Sequence, residues 1–278
     1  METNWLYSIL TGIVTGAATI LPVSQEAHQR LLLKFMGLGE IPGLTALAIH
    51  LGIAAALYLC CQNHILKMTR ASRLARIPKK KRKRPLDTRS LMDLSLLKTM
   101  LLPVILGLFL YGKVSSLVSN FIVMATFLFI NGLFLYIPQF LPSSNKDCRS
   151  LSRVEGLLMG LGGGLFVIPG LSGMAASLSV ASITGVDRKY GLNMILLMEL
   201  GISVGRIVLD ILGLISGSLG TLSLMVVICF LLAGLFAFAA AYLCVKYMRH
   251  LASEHGYAGF AYYSWGLALF TFILSLMA

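Results

Sequence analysis

Long apolar stretches dominate this chain, and short polar segments separate them. A helix needs about 20 predominantly apolar residues to cross a bilayer. Stretches of this kind lie near 43–61, 94–111, 121–137, 191–213, 223–245 and 258–277. Two further apolar stretches, 5–36 and 156–184, are each interrupted by a proline and a serine. The pattern predicts an all-α integral membrane protein with six transmembrane helices and two interrupted segments.

The two interruptions are similar to one another. One is Pro22–Ser24, and the other is Pro169–Ser172. Irregular backbone at membrane depth is tolerated only where protein or a water-filled cavity satisfies its N–H and C=O groups. We therefore expect each segment to form a re-entrant helix-loop-helix hairpin. We also expect the two turns to meet near the bilayer centre beside a polar site.

Composition and charge add an orientation to this picture. With 57% hydrophobic and 12% charged residues, the chain differs from soluble globular domains, in which about 25% of residues are charged. Eleven of the 23 Lys and Arg residues lie in the loop 62–93. Basic residues concentrate beside the cytoplasmic ends of membrane helices, so this loop is predicted to be cytoplasmic. The net charge of +12 is thereby explained without a nucleic-acid partner.

Counting the crossings from the loop 62–93 predicts an inverted repeat. The first hairpin then enters from outside and the second from inside, and three spans follow each of them. An odd number of crossings per half gives the halves, about 1–140 and 150–278, opposite orientations. The whole chain, 1–278, is expected to form one membrane domain.

Residues Thr15–His28 and Pro169–Ser177 resemble two motifs of the bacterial undecaprenyl-pyrophosphate phosphatase family, the bacitracin-resistance type. Those motifs are similar to E-G-x-T-E-F-L-P-V-S-S-x-G-H and P-G-x-S-R-S-G-A-T. The family's I-Q-L-G is found here as Ile49–Gly52, and its intramembrane proline as Pro103. The resemblance covers nearly the whole chain. It implies six spans with two re-entrant hairpins, a bacterial plasma membrane, and a polyprenyl phosphate or diphosphate lipid of cell-wall synthesis as the ligand.

The motifs of this chain depart from the family's pattern at charged positions. Thr15 and Thr19 replace the two glutamates, Gln25 replaces the second serine of the Ser-Ser pair, and Gly173 replaces the arginine. By resemblance, the glutamates suit metal or proton handling, and the arginine suits phosphate binding. A hydroxyl cannot replace a carboxylate as metal ligand or general base near neutral pH without new activation. We therefore expect weak hydrolysis, which restoring both glutamates and the arginine together should raise.

Three charged residues lie within the predicted span 191–213. They are Glu199, Arg206 and Asp210, and at 100° per residue they share one helical face with Ser203. Intramembrane charges are costly and usually face a cavity or a partner. The first interpretation is that Glu199 and Arg206 replace the acid and the cation missing from the hairpins. The alternative is an Arg206–Asp210 ion pair that only joins helices.

The remaining motif residues complete a set of candidates for the site. The candidate catalytic residues are His28, Ser24 and Glu26. The candidate phosphate-binding residues are Ser172, Gly170, Gly173 and Arg206. The other residues expected in the cavity are Thr15, Thr19, Gln25, Glu199 and Ser203. The alternative for Glu26 is an ion pair with Arg30, and His50, at the place of a family glutamine, is interpreted as a buried hydrogen-bonding residue.

Two classes of function stay open at this point. The chain either hydrolyses undecaprenyl diphosphate to the monophosphate, or it binds or translocates a polyprenyl phosphate without chemistry. No metal-ligand cluster is predicted; a divalent cation is a candidate cofactor only in the first case, and the family's ligand carboxylates are absent. The expected partners are the lipid and the membrane, and a homodimer is an open alternative.

Overall fold

The computed structural model describes residues 5–117, 120–142, 145–216, 223–254 and 256–277. Within these ranges the regular structure is helical, apart from an isolated bridge between Lys146 and Val186. The α-helices are α1 (Trp5–Ile20), α2 (Gln25–Phe35), α3 (Gly43–Ala75), α4 (Thr88–Leu117), α5 (Phe121–Tyr136), α6 (Arg153–Gly164), α7 (Gly173–Ile183), α8 (Arg188–Ser216), α9 (Leu224–Glu254) and α10 (Gly259–Leu276). Short 3₁₀ turns lie at Lys79–Lys81, Ile137–Phe140 and Leu165–Val167. The prediction of an all-α chain is confirmed over the described residues.

Five of these helices, α3, α4, α5, α9 and α10, are long and apolar enough to cross a membrane. They overlap five of the six predicted spans. The sixth, 191–213, lies within α8, which has 29 residues but carries Glu199, Arg206 and Asp210. A crossing by α8 therefore remains a prediction. The helix α3 is longer than its predicted span, because it continues to Ala75 through the polar, helix-forming start of the loop 62–93.

Two pairs of short helices correspond to the interrupted segments. The pair α1 and α2 has 16 and 11 residues, and the pair α6 and α7 has 12 and 11. Helices of these lengths measure about 16–24 Å, whereas the hydrocarbon core is about 30 Å thick. Each of the four is too short to cross the core alone at this thickness.

The turns between the paired helices contact each other directly. The Ser24 hydroxyl oxygen caps α2 by accepting from the backbone N–H of Ala27 at 3.3 Å. The same oxygen accepts from the backbone N–H of Gly170, in the other turn, at 3.0 Å. Gly170 has φ +103°, a conformation that residues with a Cβ rarely adopt. Ser24 therefore both caps the helix after the first break and bonds the second turn, and Gly170 permits the backbone conformation of that second turn.

Asn131 of α5 also joins the two turns. Its side-chain amide donates to the Pro22 carbonyl at 3.3 Å and to the Ser264 hydroxyl at 3.1 Å. Its side-chain oxygen accepts from the backbone N–H of Ser172 at 2.9 Å. Asn131 is fully buried, so these bonds satisfy turn backbone that water cannot reach. One side chain thus supplies partners to both hairpins.

Candidate functional site

A cavity of about 850 Å³ opens at the end of the helical bundle where α3 begins and where α4 and α8 end. This end is opposite to the loop 62–93, and we call the space the outer cavity. Ala46 of α3, Ser116 of α4 and Leu209 of α8 line it. Its ionisable side chains are Glu26, Arg30, Lys34, Glu40, His50, Tyr111, Arg206 and Asp210.

A much smaller cavity, about 20 Å³, lies between the two hairpin turns. We call it the inter-turn cavity. Its polar lining residues are Thr19, Gln25, Glu26, Ser172, Glu199 and Arg206. Glu26 and Arg206 line both cavities. These two side chains therefore form the wall between the open space and the hairpin turns.

Arg206 projects from α8 into this wall. Its side chain is buried, and its guanidinium lies over the ring of Tyr111, 4.0 Å from the ring centroid. The Nη1 atom is buried and has no hydrogen-bond partner among the described residues. An aromatic face attracts a guanidinium but accepts none of its in-plane hydrogen bonds. Arg206 therefore retains donors for an anion that enters the site.

The alternative partner for Arg206, Asp210, bonds elsewhere. Asp210 Oδ2 lies 2.6 Å from His50 Nδ1. The ion pairs among the described residues do not include Arg206 with Asp210. The i,i+4 spacing on α8 thus places the two charges on one face without joining them in an ion pair.

The Glu26 carboxylate bonds to side chains of α2 and α4. Its carboxylate accepts from Arg30 Nε at 3.2 Å, which is the pairing along α2 that the sequence suggested. It also accepts from the Tyr111 hydroxyl at 2.8 Å. Tyr111 therefore contacts both charges of the wall, since its ring lies against Arg206.

His28 and Ser24 lie outside the two cavities. The Nδ1 atom of His28 donates to the Ser24 carbonyl at 2.7 Å, and Nε2 lies 2.6 Å from the Tyr263 hydroxyl. Both ring nitrogens of His28 therefore have partners. The Ser24 side chain is fully buried and accepts two backbone N–H groups. In this structure both residues contribute to the geometry of the first turn.

The positions of the family glutamates are hydrogen-bonded within the first hairpin. The Thr15 hydroxyl accepts from Gln29 Nε2 at 2.9 Å, and the Thr19 hydroxyl donates to the Thr15 carbonyl at 2.8 Å. Gln25 Nε2 is buried without a partner among the described residues. Glu199 and Ser203 are buried on the same face of α8 as Arg206. Of the predicted set, the structure brings Thr19, Gln25, Glu26, Ser172, Gly173, Glu199 and Arg206 together around the inter-turn cavity.

Comparison with known proteins shows the family. The family described as bacitracin resistance protein BacA matches residues 8–270. The chain belongs to the BacA family. It is 27% identical over 279 residues to a protein of Methanobrevibacter smithii named undecaprenyl-diphosphatase, with 98% of both chains covered. A protein of the same name from Renibacterium salmoninarum is 25% identical over 280 residues, covering 98% of this chain and 96% of its own. The resemblance drawn from the two hairpin motifs is thereby confirmed.

The residues of this BacA member do not fit a metal ion at the motif positions. Thr15 and Thr19 offer neutral hydroxyls that already have hydrogen-bond partners. Over the described part of the chain, no three His, Cys, Asp or Glu side chains form a group that could hold a metal ion. Hard divalent cations bind through carboxylates and other oxygens, and two carboxylates of this site are already bonded, Glu26 to Arg30 and Tyr111 and Asp210 to His50.

Sequence reasoning missed Tyr111 and Lys34 of this BacA site. Tyr111 lies near the end of an apolar stretch, where nothing in the pattern separates it from a packing residue. Lys34 had a detectable signal, because Glu26, Arg30 and Lys34 recur every four residues on one face of α2. That periodicity predicts a charged helix face, which in the structure lines the outer cavity.

The structure argues against restoring the family's arginine at position 173. A Cβ on Gly173 would overlap the backbone carbonyl oxygen of Gly163, because α6 and α7 approach closely there. We expect both Gly173→Arg and Gly173→Ala to destabilise the folded protein by about 1–3 kcal/mol, the usual cost of overpacking. The measurement is the apparent melting temperature in detergent.

The control for Gly173 is Gly266→Ala in α10, where an added Cβ has no atom within 4 Å. Alanine favours helix over glycine by about 1 kcal/mol, so Gly266→Ala should melt at the same temperature or higher. A Gly173→Arg protein that melts like the unmodified protein and gains phosphatase activity would contradict the argument.

Proposed function

We propose that this BacA-family protein binds the head group of a polyprenyl diphosphate lipid in the outer cavity and removes its terminal phosphate, as an undecaprenyl-diphosphatase-type protein of cell-wall synthesis. The observation that carries the proposal is the buried Arg206 guanidinium, whose Nη1 lacks a partner among the described residues. Buried polar groups nearly always have hydrogen-bond partners. A phosphate oxygen is a suitable one, because a guanidinium can bind phosphate through two parallel N–H groups.

The charges around the outer cavity support a phosphate ligand. Glu26 is paired with Arg30, and Asp210 is bonded to His50. Arg206 and Lys34 form no ion pair with any described residue, and each lies over an aromatic ring instead, Tyr111 and Phe121 respectively. Glu40 is the remaining carboxylate of the lining. The cavity therefore offers two cations to an anion, against one further negative charge.

The topology that accompanies the proposal has α8 as a sixth span, α1–α2 and α6–α7 as re-entrant hairpins, and inverted halves of about 1–140 and 150–278. In this topology the loop 62–93 lies in the cytoplasm of a bacterial cell, and the outer cavity faces the other side of the plasma membrane. The polyprenyl chain would then lie in the bilayer, with its head group in the cavity. An accessibility scan of single cysteines at the two ends of α8 tests the sixth crossing.

A non-hydrolysing lipid-binding protein or translocase is the second candidate. The observation that favours it is the state of the predicted catalytic groups: His28 is bonded at both ring nitrogens, and Ser24 accepts two backbone N–H groups. Ser172 also caps a helix, since its hydroxyl accepts from the backbone N–H of Ala175 at 3.2 Å. These contacts do not interfere with binding of a lipid head group, but they leave neither serine hydroxyl available as a nucleophile for attack on a phosphate.

One pair of measurements separates the two candidates. Purified protein is incubated with undecaprenyl diphosphate, with and without Mg²⁺, and released phosphate is measured; binding of undecaprenyl phosphate is measured in parallel. We expect saturable binding together with phosphate release that is slower than that of the Methanobrevibacter smithii relative. Binding without release favours the second candidate, and the absence of both contradicts the proposal.

A further inference from the structure

His50 and Asp210 form a pair that the two hairpin motifs do not include. They lie on α3 and α8, 160 residues apart, and His50 Nδ1 is 2.6 Å from Asp210 Oδ2. Both residues line the outer cavity together with Arg206. The short distance and the shared cavity place an imidazole and its carboxylate partner beside the proposed head-group site.

The contact with Asp210 determines which ring nitrogen of a neutral His50 carries the proton. An ionised carboxylate only accepts hydrogen bonds, so Nδ1 must donate. Nε2 of a neutral ring is then an acceptor with a free lone pair. In the structure Nε2 is buried and has no hydrogen-bond partner among the described residues. A carboxylate that holds Nδ1–H and leaves Nε2 as an acceptor is the arrangement that makes a histidine a proton acceptor.

A complementary donor belongs to the same cavity. Arg206 Nη1 is also buried without a partner among the described residues, and Arg206 lines the outer cavity together with His50. An unpartnered acceptor and an unpartnered donor are together suited to a water molecule beside a phosphate group. Water needs a proton acceptor, and the phosphoryl oxygens need a cation, for attack at phosphorus.

We propose that His50, held by Asp210, accepts a proton from the water that attacks the terminal phosphate. This inference rests on the proposed function. The O–H bond of the water breaks, and its proton moves to His50 Nε2 while its oxygen bonds to the terminal phosphorus. The bond from that phosphorus to the bridging oxygen breaks, and its electron pair remains on the polyprenyl monophosphate. The proton on Nε2 is then released to that product or to solvent, which restores the neutral ring.

The position of His50 provides a sharp test. It lies in Ile49–Gly52, where the resembling family motif has glutamine. In His50→Gln the side chain still carries a hydrogen-bond donor for Asp210 but cannot accept a proton near neutral pH. The control is His64→Gln on the same helix, because His64 Nε2 pairs with Asp93 Oδ2 at 3.0 Å at the opposite end of the bundle.

The expected result is a selective loss of turnover. We expect His50→Gln to lower kcat for phosphate release about 100-fold or more, the usual contribution of a general base, with little change in undecaprenyl phosphate binding. His64→Gln should keep its kcat. Both variants are compared as monodisperse protein at equal folded concentration. Equal kcat in the unmodified and His50→Gln proteins overturns the proposal, as does an equal loss in the two glutamine variants.

Asp210 is a positioning residue in this proposal, and its test uses a conservative rescue. Asp210→Asn should lower kcat while leaving KM nearly unchanged, and Asp210→Glu should recover part of the loss because it restores a carboxylate. A Glu variant no better than Asn overturns the positioning role. If the unmodified protein releases phosphate and His50→Gln keeps its kcat, the His50 proposal fails while the proposed function stands. If the unmodified protein binds undecaprenyl phosphate but releases no phosphate, the proposed hydrolysis fails, and the His50 proposal fails with it.

Discussion

Replacing Arg206 with leucine is expected to weaken binding of undecaprenyl phosphate by about 100-fold or more. Hydrogen bonds to charged groups contribute about 1.5–3 kcal/mol each, and the buried guanidinium can offer two of them to one phosphate. Its Nη1 has no competing partner among the described residues. The measurement is the dissociation constant of undecaprenyl phosphate for folded, detergent-solubilised protein.

The matched control is Arg249→Leu on α9. The Arg249 guanidinium donates to the Cys60 carbonyl at 2.9 Å, at the opposite end of the bundle. The Arg249→Leu change therefore removes the same charge without touching the outer cavity, and the affinity for undecaprenyl phosphate should be unchanged. Arg206→Lys should give an intermediate affinity, because lysine keeps the charge but loses the planar donor pair. Equal affinities of the Arg206→Leu and Arg249→Leu proteins would rule out Arg206 as the phosphate-binding cation.

Replacing Asn131 with leucine is expected to destabilise the fold by several kcal/mol. The change removes the partners of the Pro22 carbonyl and the Ser172 N–H, both inside the protein. Each buried group left unsatisfied costs about 1–3 kcal/mol. The two hairpin turns should separate more easily, so the apparent melting temperature in detergent should fall and ligand binding should weaken with it.

Asn193→Leu on α8 is the control for this effect. The Asn193 amide donates to the Lys189 carbonyl one turn earlier on its own helix at 2.9 Å, so its loss leaves the hairpins in contact. The free energy of unfolding of the Asn193→Leu protein should lie within about 0.5 kcal/mol of that of the unmodified protein, as is usual for changes away from buried networks. Its melting temperature should therefore be nearly unchanged. Similar melting of both leucine variants would show that Asn131 does not hold the turns together.

Much of the fold could be predicted because its causes are local in the sequence. Apolar length marks the spans, and proline, glycine and serine mark the points where helices must stop. Ser24 and Ser172 cap the helices that follow the breaks in both hairpins. The predicted limits were less accurate where α3 and α9 extend beyond the apolar stretch, because helix propensity continues after hydropathy has fallen.

The candidate site was predicted only in part. Arg206 and Glu199 could be singled out because a charge inside a span is costly and must have a reason. Which side chains bond to these charged residues could not be predicted in the same way. The i,i+4 spacing suggested an Arg206–Asp210 pair, whereas Asp210 bonds His50 of α3 and Arg206 lies over Tyr111 of α4. Spacing along a helix defines a face, but the opposing helix decides which partner meets it.

The sequence by itself determined the membrane character, the helical class, the two helix breaks at Pro22–Ser24 and Pro169–Ser172, and the family, because each depends on composition or on short motifs. Only the tertiary structure decided which polar groups share a cavity. Asn131 contacts both turns, His50 contacts Asp210, and Tyr111 contacts both Glu26 and Arg206. The hydrogen bonds from Tyr111 to Glu26, from Asn131 to Pro22 and between His50 and Asp210 join residues 85 to 160 positions apart in the sequence. Contacts of this kind arise when helices pack and exclude water, since a buried polar group must then take whatever partner the neighbouring helix presents.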